Sequence, residues 1–251
     1  MITLGQATRI YAEMSWMRLR RGKMVWLCLA LLALPVVIAG GLAAAGQWGR
    51  GLFDSLLEIQ FRFLIPFLPA LLASSAVAEE IEERTFTFLF ARPAPRPSLV
   101  LGKYLAIAVP LAAATALSVA LSFAISMARF PSDAPALVPH LLRAEAAALL
   151  GVLAFTALAI VIGAIFTRHP FVAVIGYLLI VEAGIGSLPI LLNLIAVSWH
   201  LRNLAELPLP EIAFLTVQVP IWISALVPAV LGALCLGGAA LSVKNAEYGG
   251  R

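Results

Sequence analysis

The sequence is short of charge. Only 12% of its 251 residues are Asp, Glu, Lys or Arg, and 62% are hydrophobic, whereas an average soluble domain carries about 25% charged residues. This scarcity argues against a soluble globular protein. The apolar residues form runs of roughly 20 or more, the length that a helix needs to cross a bilayer. The alternating segments of a transmembrane β-barrel are absent, so the sequence predicts an all-α polytopic membrane protein.

Clustered basic charge is also missing. The net charge is +4, and the basic residues flank apolar runs instead of alternating with aromatic residues in a patch, which argues against a nucleic-acid partner. Cysteine and histidine are equally scarce. Cys28 and Cys235 lie inside apolar runs, and His140, His169 and His200 are scattered without metal-ligand spacing. We therefore expect no bound metal.

No nucleotide-binding loop is present. A P-loop reads Gly-x-x-x-x-Gly-Lys-Ser/Thr, because its backbone amides cradle the phosphates. The Gly-Lys pairs of this chain, Gly22-Lys23 and Gly102-Lys103, lack the required preceding glycine. The chain is therefore expected to bind no cofactor and not to be an enzyme.

The apolar runs predict six spans in a single domain over residues 1–251. Residues 1–23 are basic and amphipathic, which favours a helix lying in the headgroup plane over a cleaved signal peptide, with a plain topology signal as the alternative. Residues 188–207 join a short apolar run to polar residues, a pattern typical of a re-entrant segment on the outer side. The predicted spans are about 24–45, 53–78, 99–127, 141–166, 171–187 and 212–243.

The basic residues predict the orientation. With the N-terminus inside, twelve of the 17 Lys and Arg residues fall in cytoplasmic segments, in agreement with the positive-inside rule. Both termini and the loop at 79–98 are therefore predicted to be cytoplasmic, in a bacterial-type inner membrane.

A polar island, residues 79–96, separates the second and third predicted spans. It begins with Glu79, Glu80 and Glu83 and closes with basic residues and prolines. An acidic start and a basic end match the dipole of a short helix, which the prolines then terminate. The aromatic residues between them need a partner surface. That surface is either another protein or the chain's own spans.

The polar island and the residues after it resemble the signature loop of ABC transporter permeases of the type-2 export class. The pattern is an acidic pair, a basic residue followed by threonine, a short apolar run, a basic residue with proline, and a Gly-Lys pair that opens the next span. It covers residues 79–104. The six-span layout, the interfacial helix and the re-entrant segment are also similar to this family. Within it, the chain looks most like permeases that serve multicopper-enzyme maturation.

The resemblance implies half of a transporter. Two permease copies, identical or different, would pair in the lipid membrane. Each would contact a separate cytoplasmic ABC ATPase through the polar island, which would form the coupling helix, while ATP and Mg²⁺ would bind the ATPase dimer and not this chain. The residues to which the resemblance assigns this coupling are Glu79, Glu80, Glu83, Arg84, Thr85, Phe88, Leu89, Arg92, Pro93, Arg96, Gly102 and Lys103.

Among the charged residues that fall within predicted spans, three are candidates for a functional role, because charge there is costly and often functional. Glu58 and Arg62 are four residues apart, so they share a helix face. They form either a structural ion pair near the outer surface, which we favour, or part of a translocation path. Glu182 lies deep in the fifth span and either lines the path or makes structural hydrogen bonds.

We therefore predict a transmembrane permease subunit of an ABC exporter, which couples ATP hydrolysis by a separate ATPase to transport. An alternative with the same fold is an ATPase-linked factor for membrane assembly, maturation or immunity. A polytopic membrane enzyme is less favoured, because it would need polar groups clustered between spans, and only Glu58, Arg62 and Glu182 could supply such a cluster.

Overall fold

The computed structural model is helical, without strands, throughout the part of the chain that it describes. The described residues are 3–76, 95, 97–188, 191–209 and 219–245. Within them, six helical segments are long and apolar enough to cross a membrane, which confirms the predicted all-α polytopic fold. These segments are Lys23–Ala44, Arg50–Ala73, Pro97–Met127, Ala134–Ile165, Pro170–Ser187 and Ile221–Val243.

A separate helix, α1 (Leu4–Arg21), precedes the first span, α2 (Lys23–Ala44). It starts with a capping box, in which the Thr3 hydroxyl accepts from the Gln6 N–H and the Gln6 side chain accepts from the Thr3 N–H. Basic residues fill its last turn, where they complement the helix dipole. Several large apolar side chains on α1 remain exposed, as expected of a helix that rests on a membrane surface. They are Leu4, Ile10, Met14, Trp16 and Met17.

The second span contains a wide turn. α3 (Arg50–Ile59) passes through the π-helical turn Gln60–Leu64 into α4 (Ile65–Ala73). Pro66 follows directly, and in a regular α-helix its ring would clash with the carbonyl four residues earlier. The π-helical turn leaves room for the Pro66 ring, so the helix continues past it.

The third and fourth spans are the long helices α5 (Pro97–Met127) and α6 (Ala134–Ile165). α6 begins at Ala134, several residues before the start of the fourth span that the sequence predicts at about 141. The sequence around Pro135 resembles a loop. A proline is nevertheless tolerated in the first turn of a helix, because the N–H group that it lacks would have no hydrogen-bond partner within the helix there. Pro139 lies one turn further inside α6.

The chain after α6 forms shorter helices. One of them, α8 (Val197–Leu204), lies inside the bundle. Its Leu201 side chain is fully buried, and a Cβ atom at Gly151 of α6 would lie 2.7 Å from the Cδ1 atom of Leu201. The first part of the predicted sixth span, residues 212–218, lies outside the described residues. The elements are α7 (Pro170–Tyr177), a π-helical turn (Leu178–Gly184), 3-10 turns at Ile185–Ser187 and Leu191–Ile195, α8 (Val197–Leu204) and α9 (Ile221–Asn245).

The second and fourth spans form the centre of the bundle and are mostly buried, whereas the first, fifth and last spans expose most of their surface. The two ends of the bundle differ. One end of the bundle, where α1 packs, is called the α1 end. The other end, at which α3 and α6 begin, is called the α8 end. Residues of the second and fourth spans dominate the largest fully buried side chains. These include Phe53, Phe61, Phe155, Leu56, Leu57, Ile65, Leu68 and Ile160.

Glycine permits the closest approach between these two central spans. A Cβ atom at Gly163 of α6 would overlap the backbone carbonyl oxygen of Ser74, just after α4. Small residues at such crossings let helix backbones approach closely in a membrane protein. The packing of α4 against α6 near the α1 end therefore depends on this position.

We expect Gly163→Ala to destabilise the protein, because the added methyl group would displace the Ser74 carbonyl and separate α4 from α6. Overpacking of this kind costs about 1–3 kcal/mol. Heating the detergent-solubilised protein and measuring the folded fraction by size-exclusion chromatography should show a lower midpoint. Gly176→Ala is the matched control, since a Cβ atom there meets nothing within 4 Å. Equal midpoints for the two variants would contradict this account.

Candidate functional site

Most of the predicted coupling residues lie outside the described part of the chain, so their role stays a prediction. Two of the set, Gly102 and Lys103, are described, and both contact other elements at the α1 end. The predicted coupling residues outside the described ranges are Glu79, Glu80, Glu83, Arg84, Thr85, Phe88, Leu89, Arg92, Pro93 and Arg96.

Gly102 is the point at which α1 crosses α5. A Cβ atom at Gly102 would lie 2.5 Å from the Cβ atom of Tyr11 and 2.9 Å from the carbonyl oxygen of Thr8. These atoms belong to the backbone or to its first side-chain carbon, so they cannot move away without a shift of α1. Gly102 therefore holds the N-terminal helix directly against the third span.

Lys103 links the second and third spans. Its side chain is buried, and its Nζ atom donates to the backbone carbonyl of Ala76. Ala76 lies three residues after the end of α4, so this hydrogen bond joins the chain just after the second span to α5. On the other side of the polar island, the Ser98 hydroxyl donates to the carbonyl of Pro95. Lys103 thus ties together the two chain segments that flank the polar island.

Ion pairs join three parts of the chain near the α8 end. The His140 side chain is buried, and its Nε2 atom lies 2.8 Å from Asp54 Oδ1, so it connects α6 to α3. Arg143, one turn along α6, pairs with Glu206 after α8. Glu206 has a φ of 55°, a left-handed conformation that is uncommon for residues other than glycine. The sequence analysis did not identify this cluster, because its members are far apart in the chain.

The predicted pair of Glu58 and Arg62 is present but loose, with 3.8 Å between Oε1 and Nη1. Arg202 of α8 is a closer partner, with its Nη2 atom 3.2 Å from the same Glu58 oxygen. It also donates to the carbonyl of Pro208. Burial lowers the pKa of Arg202, yet an arginine stays protonated at physiological pH. Arg202 therefore binds α8 to the second span as a nearly buried cation.

Glu182 accepts three hydrogen bonds inside the protein. The backbone N–H groups of Val197 and Ser198 donate to it at 3.1 and 2.8 Å, and the hydroxyl of Tyr177 donates at 2.9 Å. Val197 begins α8, so Glu182 supplies the acceptor that the first turn of a helix lacks. Its negative charge also suits the positive end of the helix dipole. This geometry favours the structural alternative for Glu182 over a place on a path.

Two further side chains of α8 hold it near α9. Asn203 Nδ2 donates to Ser224 Oγ at 2.8 Å and to the carbonyl of Val219 at 3.0 Å. His200 Nε2 lies 2.8 Å from the carbonyl of Leu194, and burial lowers the pKa of His200. Its neutral form is therefore favoured, with the ring N–H donating to that carbonyl.

The polar side chains inside the bundle thus serve mainly to connect helices. No group of three or more His, Cys, Asp and Glu side chains among the described residues could hold a metal ion. Glu58 and Glu182, which a membrane enzyme would have to bring together, are instead held by separate partners. Such an arrangement is suited to positioning and moving helices.

Comparison with known families gives one match. The family model described as ABC-2 family transporter protein matches residues 10–184, more than two thirds of the chain. The match begins within α1, includes the first four spans and the polar island, and ends in the π-helical turn of the fifth span. No curated protein matches the chain.

We expect Glu182→Ala to destabilise α8, because the N–H groups of Val197 and Ser198 would lose their acceptor inside the bundle. A buried group left without its partner costs about 1–3 kcal/mol. Hydrogen–deuterium exchange should therefore become faster at the start of α8, and thermal stability in detergent should fall. Glu182→Gln keeps one acceptor oxygen and should have an intermediate effect.

The control for this prediction is Glu13→Ala on α1, which removes an exposed carboxylate paired with Arg9. An exposed ion pair contributes at most about 1 kcal/mol, so stability should barely change. If Glu182→Ala kept wild-type exchange at α8 and lost transport, the carboxylate would belong to the translocation path.

Proposed function

Because the chain belongs to the ABC-2 transporter family, we propose that it is the membrane-spanning permease subunit of an ATP-driven exporter. The match to the family model carries this proposal, since it includes the polar island and four complete spans. The sequence has no P-loop, so a separate cytoplasmic ABC ATPase would supply the energy. ATP and Mg²⁺ would bind to that partner.

The contacts of Gly102 and Lys103 support a coupling role for the polar island. A force on the island would reach the second span through Ala76 and the third span through the helix that starts at Pro97. Lys103 ties these two spans, and Gly102 brings α1 into the same unit. The crossing at Gly163 extends the unit to the fourth span. Four elements would therefore tilt together when two ATPases close on ATP.

We further propose that two copies, of this chain or of this chain and a related one, form the translocation path between them. The first, fifth and last spans expose most of their surface, which leaves apolar faces for lipid and for a second permease. The positive-inside rule orients both termini and the polar island to the cytoplasm of a bacterial-type cell. Exposed residues on these spans include Trp26, Val37, Leu179, Trp222 and Leu234.

Glu58 and Arg62 are better candidates than Glu182 for contact with a substrate. Their side chains are 39% and 46% exposed, so a polar ligand could reach them. Glu182 is buried and its carboxylate already accepts three hydrogen bonds. We therefore assign Glu182 to positioning α8, and Glu58 and Arg62 to the outer part of the path.

The coupling role predicts that a double variant, Glu80→Ala with Arg84→Ala, weakens binding of the ATPase. Truncation of central interface residues typically costs about 2 kcal/mol or more, which is at least about tenfold in affinity. Co-expression with an ABC ATPase encoded beside the permease gene, followed by affinity purification, should show this loss. Unchanged co-purification together with unchanged substrate-stimulated ATP turnover would show that the polar island is not the coupling segment.

A matched control removes a similar pair of charges from the same end of the bundle. Arg9 and Glu13 form an exposed ion pair on α1, at 2.8 Å, which the resemblance does not assign to coupling. Arg9→Ala with Glu13→Ala should leave ATPase binding intact. An equal loss in both double variants would indicate a general effect of charge at the membrane surface.

A variant at Lys103 tests force transmission separately from ATPase binding. Lys103→Met keeps an apolar side chain of similar length but loses the donor to the Ala76 carbonyl. We expect the ATPase to co-purify normally, while substrate-stimulated ATP turnover in proteoliposomes falls severalfold, because the ends of the second and third spans would no longer move as one. Normal turnover in Lys103→Met would show that this hydrogen bond does not transmit force.

A further inference from the structure

A cavity of about 400 Å³ lies at the α1 end, between α1, α2 and the ends of the second and third spans. Polar groups from several elements line part of it: Tyr11, Ser15 and Arg18 from α1, Ser75 after α4, and Lys103 from α5. The rest of the lining is apolar. It includes Met14, Leu71, Leu72, Leu99 and Ile107.

A second, smaller cavity of about 80 Å³ lies next to the first and is lined almost wholly by apolar side chains. It lies further along α2 and α5, from Cys28 to Leu32 on one helix and from Pro110 to Ala114 on the other. The two cavities share four lining residues, so a polar entrance adjoins an apolar slot. The shared residues are Leu19, Val25, Leu72 and Ile107.

We propose that this composite cavity binds one anionic phospholipid, with its headgroup near Arg18 and Lys103 and the upper part of one acyl chain in the slot. The charge at the entrance favours an anion, because Arg18 and Lys103 are reinforced by Arg20, Arg21 and Lys23 at the same end of α1 and α2. Arg18 and Lys103 also have contacts within the protein. The attraction for the headgroup therefore comes from the combined positive potential of these basic residues.

The apolar slot distinguishes a lipid from a soluble phosphate ester. A small anion could bind at the entrance, but only a molecule with a hydrocarbon chain would also cover Leu32 and Leu111 and gain affinity by burying its methylene groups against them. The exposed apolar residues of α1, such as Met14 and Trp16, would lie beside the same headgroups. This proposal does not depend on the transport function proposed above.

Native mass spectrometry of the purified permease, titrated with phosphatidylglycerol or with phosphatidylcholine of the same chain length, tests this site. The wild-type protein should retain one phosphatidylglycerol molecule per chain and bind phosphatidylcholine more weakly. Arg18→Gln should weaken phosphatidylglycerol binding about fivefold, the effect of one basic residue near a membrane surface. Ala114→Phe should fill the slot and weaken binding about tenfold, as the loss of roughly two buried methylenes would.

Each variant has a control on the same helix. Arg9→Gln removes an equal charge from α1 outside the cavity lining and away from the basic residues at the end of the helix. Ala113→Phe adds an equal ring at an exposed position. Both variants should bind phosphatidylglycerol like the wild type. Equal retention of the two lipids, or equal losses in a variant and its control, would overturn the proposal. So would displacement of the lipid by glycerol 1-phosphate, which would place a soluble phosphate ester at the entrance instead.

Discussion

A charged or polar group inside an apolar helix bundle must find its partners within the protein, because lipid offers none. This constraint organises the present structure. Glu182 accepts hydrogen bonds from two backbone N–H groups in the first turn of α8 and so holds this helix in the bundle. Arg202 connects α8 to the second span, and His140 connects α6 to it. At the α1 end, Lys103 does the same for the second and third spans. The few charges in the chain therefore determine which helices stay together.

Close packing of small residues complements these polar links. At Gly102 and Gly163, backbone or Cβ atoms of a neighbouring element lie where a Cβ atom would be. These contacts allow little adjustment, because the atoms involved are not flexible side-chain ends. At Gly151 the close neighbours are the side chains of Ile65 and Leu201. The outer spans lack comparable contacts over much of their surface, and they expose large apolar side chains instead. The bundle thus has a rigid centre and an apolar periphery.

The sequence could predict features that depend on local pattern. Six apolar runs indicated six spans, and the spacing of Glu58 and Arg62 indicated their pairing. It could not predict contacts between distant positions, such as Arg202 with Glu58 or His140 with Asp54. The hydrogen-bond partners of Glu182 also could not be predicted, because two of them are backbone N–H groups whose position depends on the fold of α8. The sequence also did not indicate that α6 begins as early as Ala134, because prolines in its first turns resemble a loop.

The second span is the element through which the two ends of the molecule can communicate. It carries Asp54 and Glu58 toward the α8 end, and it leads into Ala76 beside the polar island. Between them lies the π-helical turn Gln60–Leu64, where Gln60 is fully buried and donates to Ser122 of α5 at 3.4 Å. A wide turn is a place where a helix can change direction at low cost. If the polar island transmits force as proposed, a tilt imposed near Ala76 would reach this turn before it reached the contacts of α8, and the turn would determine how far the α8 end follows the α1 end.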